Sequence, residues 1–193
     1  MPKTTDSNSK PILFLDIDDV LCLNKTYGGY DVIRAVRGVH PAPDAVYRDV
    51  FDAQACAALK DVHMALDGQL RYVISSTWRE AFTLEQLSEV FRRTGLEFVA
   101  DALHEAWHTP IHFERGDRAE DIRIWLAAFH QGEPFAILDD TYSGPSLKPA
   151  LFAEAMHPFH GRVVLCRENV GLLPEHKEKL LHALQYLASG VSR

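Results

Sequence analysis

The sequence predicts an α/β fold in which a mostly parallel central sheet is covered by helices on both faces. Short apolar segments alternate with amphipathic helical segments along the chain, a pattern typical of such sheets. Three apolar segments end in polar clusters: Asp16/Asp18/Asp19, Ser75/Ser76/Thr77 and Asp139/Asp140. Because ligands of these folds bind beyond the carboxyl ends of the strands, the clusters are predicted to meet at one functional edge.

The element pattern follows from apolar periodicity and from turn residues. The segments predicted as strands are 12–17, 71–76, 96–100, 135–140 and 162–166. The segments predicted as helices are 52–66, 83–95, a helix starting at 117 with Trp125 in the core and an apolar face that reaches Phe129, and 175–187. Asp52 and Thr83 are expected N-caps, and Pro174 suits the first turn of the last helix.

Composition and charge limit the class of protein. The chain has 193 residues, of which 47% are hydrophobic, and its formal net charge is −7, which suits one globular domain. The acidic balance argues against a broad nucleic-acid-binding face, although it is compatible with a small basic patch. The three cysteines are widely spaced, which is typical of a reduced, intracellular protein.

The ends and the insertions of the domain are also predicted. Residues 1–10 are polar and are expected to form a disordered leader before a single domain over 11–193. The glycine- and proline-containing stretch at about 22–50 has room for a small flap or loop, but not for a folded cap. No apolar segment reaches the roughly 20 residues of a transmembrane helix. We therefore expect no membrane span and a cytoplasmic location.

Carboxylates gathered at one sheet edge repel each other unless a cation or a bound proton compensates. Mg²⁺ suits such a site because it prefers oxygen ligands and commonly binds carboxylates together with substrate phosphate. One carboxylate can then attack phosphorus, and another can protonate the leaving oxygen and later activate water. The alternative is that the acids are helix caps or turn residues, as isolated acids usually are.

Several segments resemble the haloacid dehalogenase (HAD) superfamily. "DIDDVL", "YVISSTWR" and "ILDDT" are similar to its first, second and fourth motifs, and "WHTP", "RAEDIRIWL" and "ENVGLLPEH" resemble small HAD domains found with RNA-repair proteins. The resemblance implies a Rossmann-like HAD fold without a large cap domain. It also implies a Mg²⁺-dependent phosphatase that forms an aspartyl-phosphate.

The resemblance assigns roles to individual residues. Asp16 would be the nucleophile and Asp18 the acid/base. Ser75 would bind the phosphoryl group, and Ser76 is close enough to take that role. Arg118 matches the cation of the third motif, with Arg115 and Lys148 as weaker candidates. The metal ligands would be Asp16, the backbone carbonyl of Asp18, Asp139 and, in support, Asp140.

One residue departs from the superfamily pattern, and another has two possible roles. Asp19 stands where the first motif usually has glycine, and its charge is expected to alter metal affinity. Arg79 either binds a substrate phosphate with its guanidinium or ties the start of a helix to an acidic neighbour.

Two further stretches leave alternatives open. Residues 104–108, HEAWH, match the HExxH pattern of zinc metalloproteases, whose two histidines lie one helical turn apart; the other interpretation is a loop with surface histidines. Basic and aromatic residues are frequent in the 22–48 stretch: Lys25, Arg34, Arg37, His40, Arg48, Tyr27, Tyr30 and Tyr47. They either hold a nucleotide or nucleic-acid end or form an ordinary solvated loop.

Taken together, these features predict a Mg²⁺-dependent phosphomonoester hydrolase. Its substrate would be a phosphorylated small molecule such as a nucleotide, or a nucleic-acid end. The alternatives are a HAD-fold binding or regulatory domain without turnover and, more remotely, a zinc metalloprotease.

Overall fold

The computed structural model describes residues 10–38, 44–111, 117–154 and 156–185. Within these ranges, five strands form one sheet: β1 (Ile12–Leu15), β2 (Arg71–Ile74), β3 (Leu103–His108), β4 (Phe135–Asp140) and β5 (Val163–Cys166). The strand order is β3-β2-β1-β4-β5, and each neighbouring pair is parallel. The predicted parallel sheet is confirmed, with β1 at its centre.

Helices cover both faces of this sheet. The α-helices among the described residues are α1 (Gly29–Val36), α2 (Ala45–Asp49), α3 (Ala53–Ala65), α4 (Trp78–Ala81), α5 (Leu84–Arg93), α6 (Glu97–Asp101), α7 (Arg118–Phe129) and α8 (Lys177–Gln185). Short 3-10 helices span Pro145–Leu151 and Pro174–His176. One core contains side chains of α1 to α6 and α8, whereas the other contains side chains of α7 and the first 3-10 helix.

The central strand is buried on both faces because its side chains alternate between the two cores. Leu13 and Leu15 lie in the first core, while Ile12 and Phe14 lie in the second. This alternation is the period of two of an extended strand. Trp125 of α7 is fully buried and packs its ring edge-on against Phe14 at 5.2 Å between centroids, which confirms its predicted core position.

The described residues contain no large cap domain. Between β1 and α3 lie two short helices, α1 and α2, which contribute Val32, Val46 and Tyr47 to the core on one face of the sheet. Residues 39–43 of this segment lie outside the described ranges. The described part of the insertion therefore packs against one face of the sheet as part of the domain. It does not form a cap domain over the carboxyl edge of the sheet.

The predicted third strand at 96–100 is wrong. Leu96 is the N-cap of α6, residues 97–100 lie within that helix, and the strand that follows is β3. Leu96, Val99 and Ala100 are buried at the spacing of one helical face. A five-residue apolar run is compatible with either a strand or a helical turn, and here the tertiary packing selects the turn.

The zinc metalloprotease interpretation is also wrong, because the HEAWH segment is strand β3. At about 3.3 Å per residue, His104 and His108 are separated by roughly 13 Å along the strand, not by one helical turn. Among the described residues, the candidate metal-binding group of side chains contains neither histidine.

Helix ends agree with the sequence at most positions. Asp52 caps α3 by accepting hydrogen bonds from two backbone amides, and Thr83 and Gln86 form the predicted capping box of α5. Phe129 is 48% exposed, so the predicted apolar face of α7 is wrong at that residue. The last helix begins as a 3-10 turn at Pro174, and the predicted residues 186–187 lie outside the described ranges, as does the leader up to residue 9.

No helix in the described ranges has the length and apolar character that spanning a bilayer requires.

Candidate active site

The first functional feature is a row of polar side chains at the carboxyl edge of the sheet. The Asp16 amide donates to the Leu138 carbonyl and the Ser75 amide donates to the Leu15 carbonyl, each at 2.9 Å. The strand register is thereby continued by one residue beyond β1, and Asp16 lies between Ser75 on one side and Asp139 on the other. By the alternation of side chains, all three point to the face of the sheet that α7 covers.

Three buried carboxylates lie close together at this edge of the sheet. Asp16, Asp139 and Asp140 each place an oxygen within 4.8 Å of the others. Arg118, in the first turn of α7, places its Nη2 3.4 Å from Asp16 Oδ1 and its Nε 3.2 Å from Asp139 Oδ2. Arg118 contributes one positive charge against three carboxylates, so the cluster keeps an excess of negative charge when all three acids are ionised.

The electrostatics of the cluster favour a bound cation. Burial, reinforced by the charge of Asp139, raises the pKa of Asp16 well above its ordinary value, although Arg118 opposes this shift. Burial raises the pKa of Asp139 to about 6. Both shifts mean that the ionised carboxylates are disfavoured unless positive charge is added. A donor set made only of carboxylate oxygens fits Mg²⁺.

Asp140 also organises the turn that follows β4, through contacts with Ser143. Ser143 was not identified from the sequence. Asp140 Oδ1 accepts hydrogen bonds from the Tyr142 and Ser143 amides at 2.5 and 3.0 Å. The Ser143 hydroxyl contacts Asp140 Oδ2 and lies 3.3 Å from Asp16 Oδ2. An acid followed by a serine three residues later is a turn-forming spacing, and this is the signal that could have identified Ser143.

Asp18 lies outside the three-carboxylate group. Its Oδ2 accepts a hydrogen bond from Trp78 Nε1 at 3.1 Å. Burial raises the pKa of Asp18, and the Trp78 hydrogen bond opposes that rise. A carboxyl group with a raised pKa is suited to hold a proton and deliver it, which is the property a general acid needs. The sequence motifs did not assign this role to Trp78.

Ser75 and Ser76 differ in their partners. The Ser76 hydroxyl lies 3.5 Å from the Trp78 amide, whose hydrogen bond it accepts. Ser75 Oγ is buried and has no hydrogen-bond partner among the described residues, and the same holds for Arg118 Nη1. A buried polar atom left without a partner costs about 1–3 kcal/mol, so these two groups favour an anionic ligand.

The contacts of Arg79 match the second of its two predicted roles, which is to tie the start of a helix to an acidic neighbour. Its guanidinium is buried and donates to the carbonyls of Ser75, Ser76 and Pro110 at 2.7–3.3 Å. It also forms an ion pair with Asp121 of α7 at 3.2 Å. These contacts connect the ends of β2 and β3 to α7, and they favour a positioning role over contact with substrate.

Arg79→Lys is expected to lower the free energy of unfolding by about 3 kcal/mol, because an ammonium group does not replace a buried fork of hydrogen bonds. The matched control is Arg92→Lys, since Arg92 pairs with Asp101 on the surface and such a pair contributes at most about 1 kcal/mol. Urea denaturation measures both. Equal losses of stability for the two variants would contradict the positioning role of Arg79.

Asp19 occupies a backbone conformation that explains the usual glycine. Its φ is 55°, in the left-handed region that glycine, asparagine and aspartate tolerate best. Its Oδ1 accepts a hydrogen bond from the backbone N–H of Asn169 at 2.8 Å. The carboxylate therefore holds the loop after β5 against the first motif.

Asp19→Val is expected to lower the free energy of unfolding by about 2 kcal/mol, because a β-branched side chain is strained at positive φ and loses the acceptor for Asn169. Asp19→Asn keeps an oxygen acceptor and tolerates this conformation, so its loss is expected to stay below about 0.5 kcal/mol. Thermal or urea unfolding of the two variants distinguishes them. A valine variant as stable as the asparagine variant would rule out this account of position 19.

A parallel sheet with acids directly after β1 and at the end of β4 is the arrangement of a HAD-type domain, the fold class of the phosphohydrolases of that superfamily. A family model described as the HAD domain in Swiss Army Knife RNA repair proteins matches residues 12–176. The chain belongs to this family, and the resemblance read from its motifs is confirmed. No curated protein and no solved structure shows a significant match to the chain. The family indicates a phosphohydrolase-type domain in an RNA-repair context.

Proposed function

We propose that this chain is a Mg²⁺-dependent phosphomonoester hydrolase that acts through an aspartyl-phosphate on Asp16. The observation that carries the proposal is the pair of buried groups without partners, Ser75 Oγ and Arg118 Nη1, in the same site as the acid cluster. Together they supply donors for phosphoryl oxygens next to a carboxylate nucleophile.

The metal would be held by the carboxylates of Asp16, Asp139 and Asp140, with the backbone carbonyl of Asp18 as a further ligand that the family resemblance implies. Bound Mg²⁺ supplies positive charge that offsets the charge of the phosphoryl group. Arg118 orients Asp16 and Asp139 through its two ion pairs.

The residues then divide the chemistry into two displacements. A carboxylate oxygen of Asp16 forms a bond to phosphorus as the ester P–O bond breaks, and Asp18 gives its proton to the leaving oxygen. Asp18, now ionised, takes a proton from water as the water oxygen attacks phosphorus. The bond from phosphorus to Asp16 breaks, which releases inorganic phosphate and restores both carboxyl groups.

The proposed substrate is a nucleotide or the phosphorylated end of a nucleic acid. The family connects the chain with RNA repair. The described residues also include no large cap over the sheet edge, which is compatible with a bulky substrate.

The test is a screen of hydrolysis with and without EDTA, using p-nitrophenyl phosphate, nucleotides, sugar phosphates and oligonucleotides phosphorylated at the 3′ or 5′ end. We expect activity that EDTA abolishes and added Mg²⁺ restores. Binding of Mg²⁺ without hydrolysis of any of these compounds would favour the alternative of a binding or regulatory domain.

Trp78→Phe is expected to slow substrates with poor leaving groups more than those with good ones. The phenyl ring can keep the packing of the indole against Phe51 and Phe82, but the donor to Asp18 is lost. A misplaced general acid matters most when the leaving oxygen needs a proton, so kcat for alkyl phosphates should fall about tenfold further than kcat for p-nitrophenyl phosphate.

Trp125→Phe is the matched control for this change. Trp125 is also buried and its Nε1 donates to the Ala106 carbonyl at 2.8 Å, but it belongs to the core on the other face of the sheet from Trp78. We expect lower stability and an unchanged dependence on the leaving group. If Trp78→Phe slows all substrates equally, the hydrogen bond does not position the acid.

A further inference from the structure

The structure separates the basic and aromatic residues of the 22–48 stretch into two groups. Some are occupied by contacts within the domain: Lys25 pairs with Asp52, Arg48 pairs with Asp49, Tyr47 lies under the Arg93 guanidinium, and Tyr27 packs against the core. His40 lies outside the described ranges. The remaining members are Tyr30, Arg34 and Arg37, which all belong to α1 or the residue that follows it.

These three residues share one face of α1, and we call them the α1 stripe. Tyr30 is 73% exposed, and Arg34 and Arg37 are exposed. Their spacing of four and three residues places them side by side on a helix. Within the described ranges, neither arginine forms an ion pair with a carboxylate. Val32 is buried on the inner side of α1, so the stripe faces solvent.

The α1 stripe begins beside the candidate active site. A Cβ atom placed on Gly29 would lie 3.0 Å from Trp78 Nε1, the atom that donates to Asp18 Oδ2. Tyr30 is the next residue, and Arg37 lies seven residues further along the chain. At 1.5 Å per residue, the stripe extends for about 10 Å along the axis of α1.

We propose that the α1 stripe is a docking surface for the single-stranded nucleic acid whose terminal phosphate is processed at Asp16. The inference rests on the proposed function. The positive charge of the stripe is complementary to the phosphodiester backbone. It is opposite in sign to the net charge of the whole chain, which is −7. An exposed tyrosine supplies a stacking surface for a base, while the arginines contact phosphates. A tyrosine and two arginines on one exposed helix face therefore fit a nucleic-acid strand.

The stripe is tested by Tyr30→Ala and by the double variant Arg34→Gln/Arg37→Gln. With a phosphorylated single-stranded RNA of about ten nucleotides, we expect KM to rise about fivefold or more for Tyr30→Ala and about tenfold for the arginine variant, with kcat within about twofold. Kinetics with p-nitrophenyl phosphate should not change, because this substrate does not reach α1. The arginine variant should also lower the slope of log Kd against log salt by about 1.4, since each phosphate contact contributes about 0.7 for a single strand.

The matched control is Lys10→Gln/Lys60→Gln, which removes the same charge from exposed positions before β1 and within α3. Binding is measured separately by fluorescence anisotropy in the Asp16→Asn background, where the RNA keeps its terminal phosphate. If the stripe variants and the control bind RNA equally well, the docking surface is wrong.

The failure of this inference and the failure of the proposed function give different results. Hydrolysis of p-nitrophenyl phosphate without measurable binding of RNA or DNA oligonucleotides would overturn the docking surface alone. Binding of RNA that depends on the stripe, in a protein that hydrolyses no phosphomonoester, would support the docking surface and overturn the proposed function.

Discussion

Asp16→Asn is expected to abolish turnover, with a loss of more than about a thousandfold in kcat, and to leave the fold intact. The amide is a poor nucleophile towards phosphorus, but it fills the same space between Ser75 and Asp139. Burial raises the pKa of Asp16, so removing its charge should leave the metal-free protein at least as stable as wild type. Single-turnover kinetics and thermal unfolding measure the two effects.

Asp19→Asn is the control for Asp16→Asn because it makes the same chemical change in the same segment. Its carboxylate contacts the Asn169 amide and belongs to neither the nucleophile nor the described metal-binding group. At saturating Mg²⁺, where an altered metal affinity has no effect on the rate, we expect kcat within about threefold of wild type. Turnover by Asp16→Asn within about tenfold of wild type, an effect of only about 1.4 kcal/mol, would exclude Asp16 as the nucleophile.

Asp139→Asn is expected to weaken Mg²⁺ binding and to leave an activity that recovers in part as Mg²⁺ is raised. The substitution removes one of three carboxylates that place oxygens within 4.8 Å of each other, but it keeps the nucleophile. Asp16→Asn should not recover, because the reacting atom itself is absent. Rate measured against Mg²⁺ concentration separates the two variants, and identical Mg²⁺ titrations for wild type and Asp139→Asn would contradict a shared metal.

The same variant should change how stability depends on pH in the absence of metal. Burial raises the pKa of Asp139 to about 6, above its usual value in an unfolded chain of about 3.9. The folded protein therefore holds this proton more tightly, and the stabilisation is complete below pH 4 and is lost as the pH rises through about 6. We expect the free energy of unfolding of the wild type to fall more steeply between pH 4 and 7 than that of Asp139→Asn.

Bound Mg²⁺ should oppose this loss, because a ligand that binds only the folded state stabilises it. At neutral pH, Mg²⁺ should raise the Tm of the wild type more than that of Asp139→Asn. Equal increases in Tm would show that Asp139 is not a ligand.

The parts of the site that follow directly from strands were predictable from the sequence. Asp16, Ser75 and Asp139 each come immediately after or at the end of an apolar strand, and parallel pairing places such residues side by side. The third strand was not predictable in the same way, because residues 96–100 suit a helical turn as well as a strand.

The contacts that organise the site lie far apart in the chain, which is why the sequence did not reveal them. Trp78 and Asp18 are separated by 60 residues, and Arg79 and Asp121 by 42 residues. Their hydrogen bonds depend on how α4 and α7 pack onto the sheet. No periodicity or motif spacing in one sequence carries that information.

The close approach of Gly29 to Trp78 has a consequence for sequence variation in the family. A Cβ at position 29 would lie 3.0–3.1 Å from three atoms of the indole, and the indole is confined on its other sides by Phe51 and Phe82. Positions 29 and 78 are therefore expected to covary: relatives with tryptophan at 78 should keep glycine at 29, while those with a smaller side chain at 78 can accept alanine there. The start of α1 and the residue that donates to Asp18 would then change together in evolution.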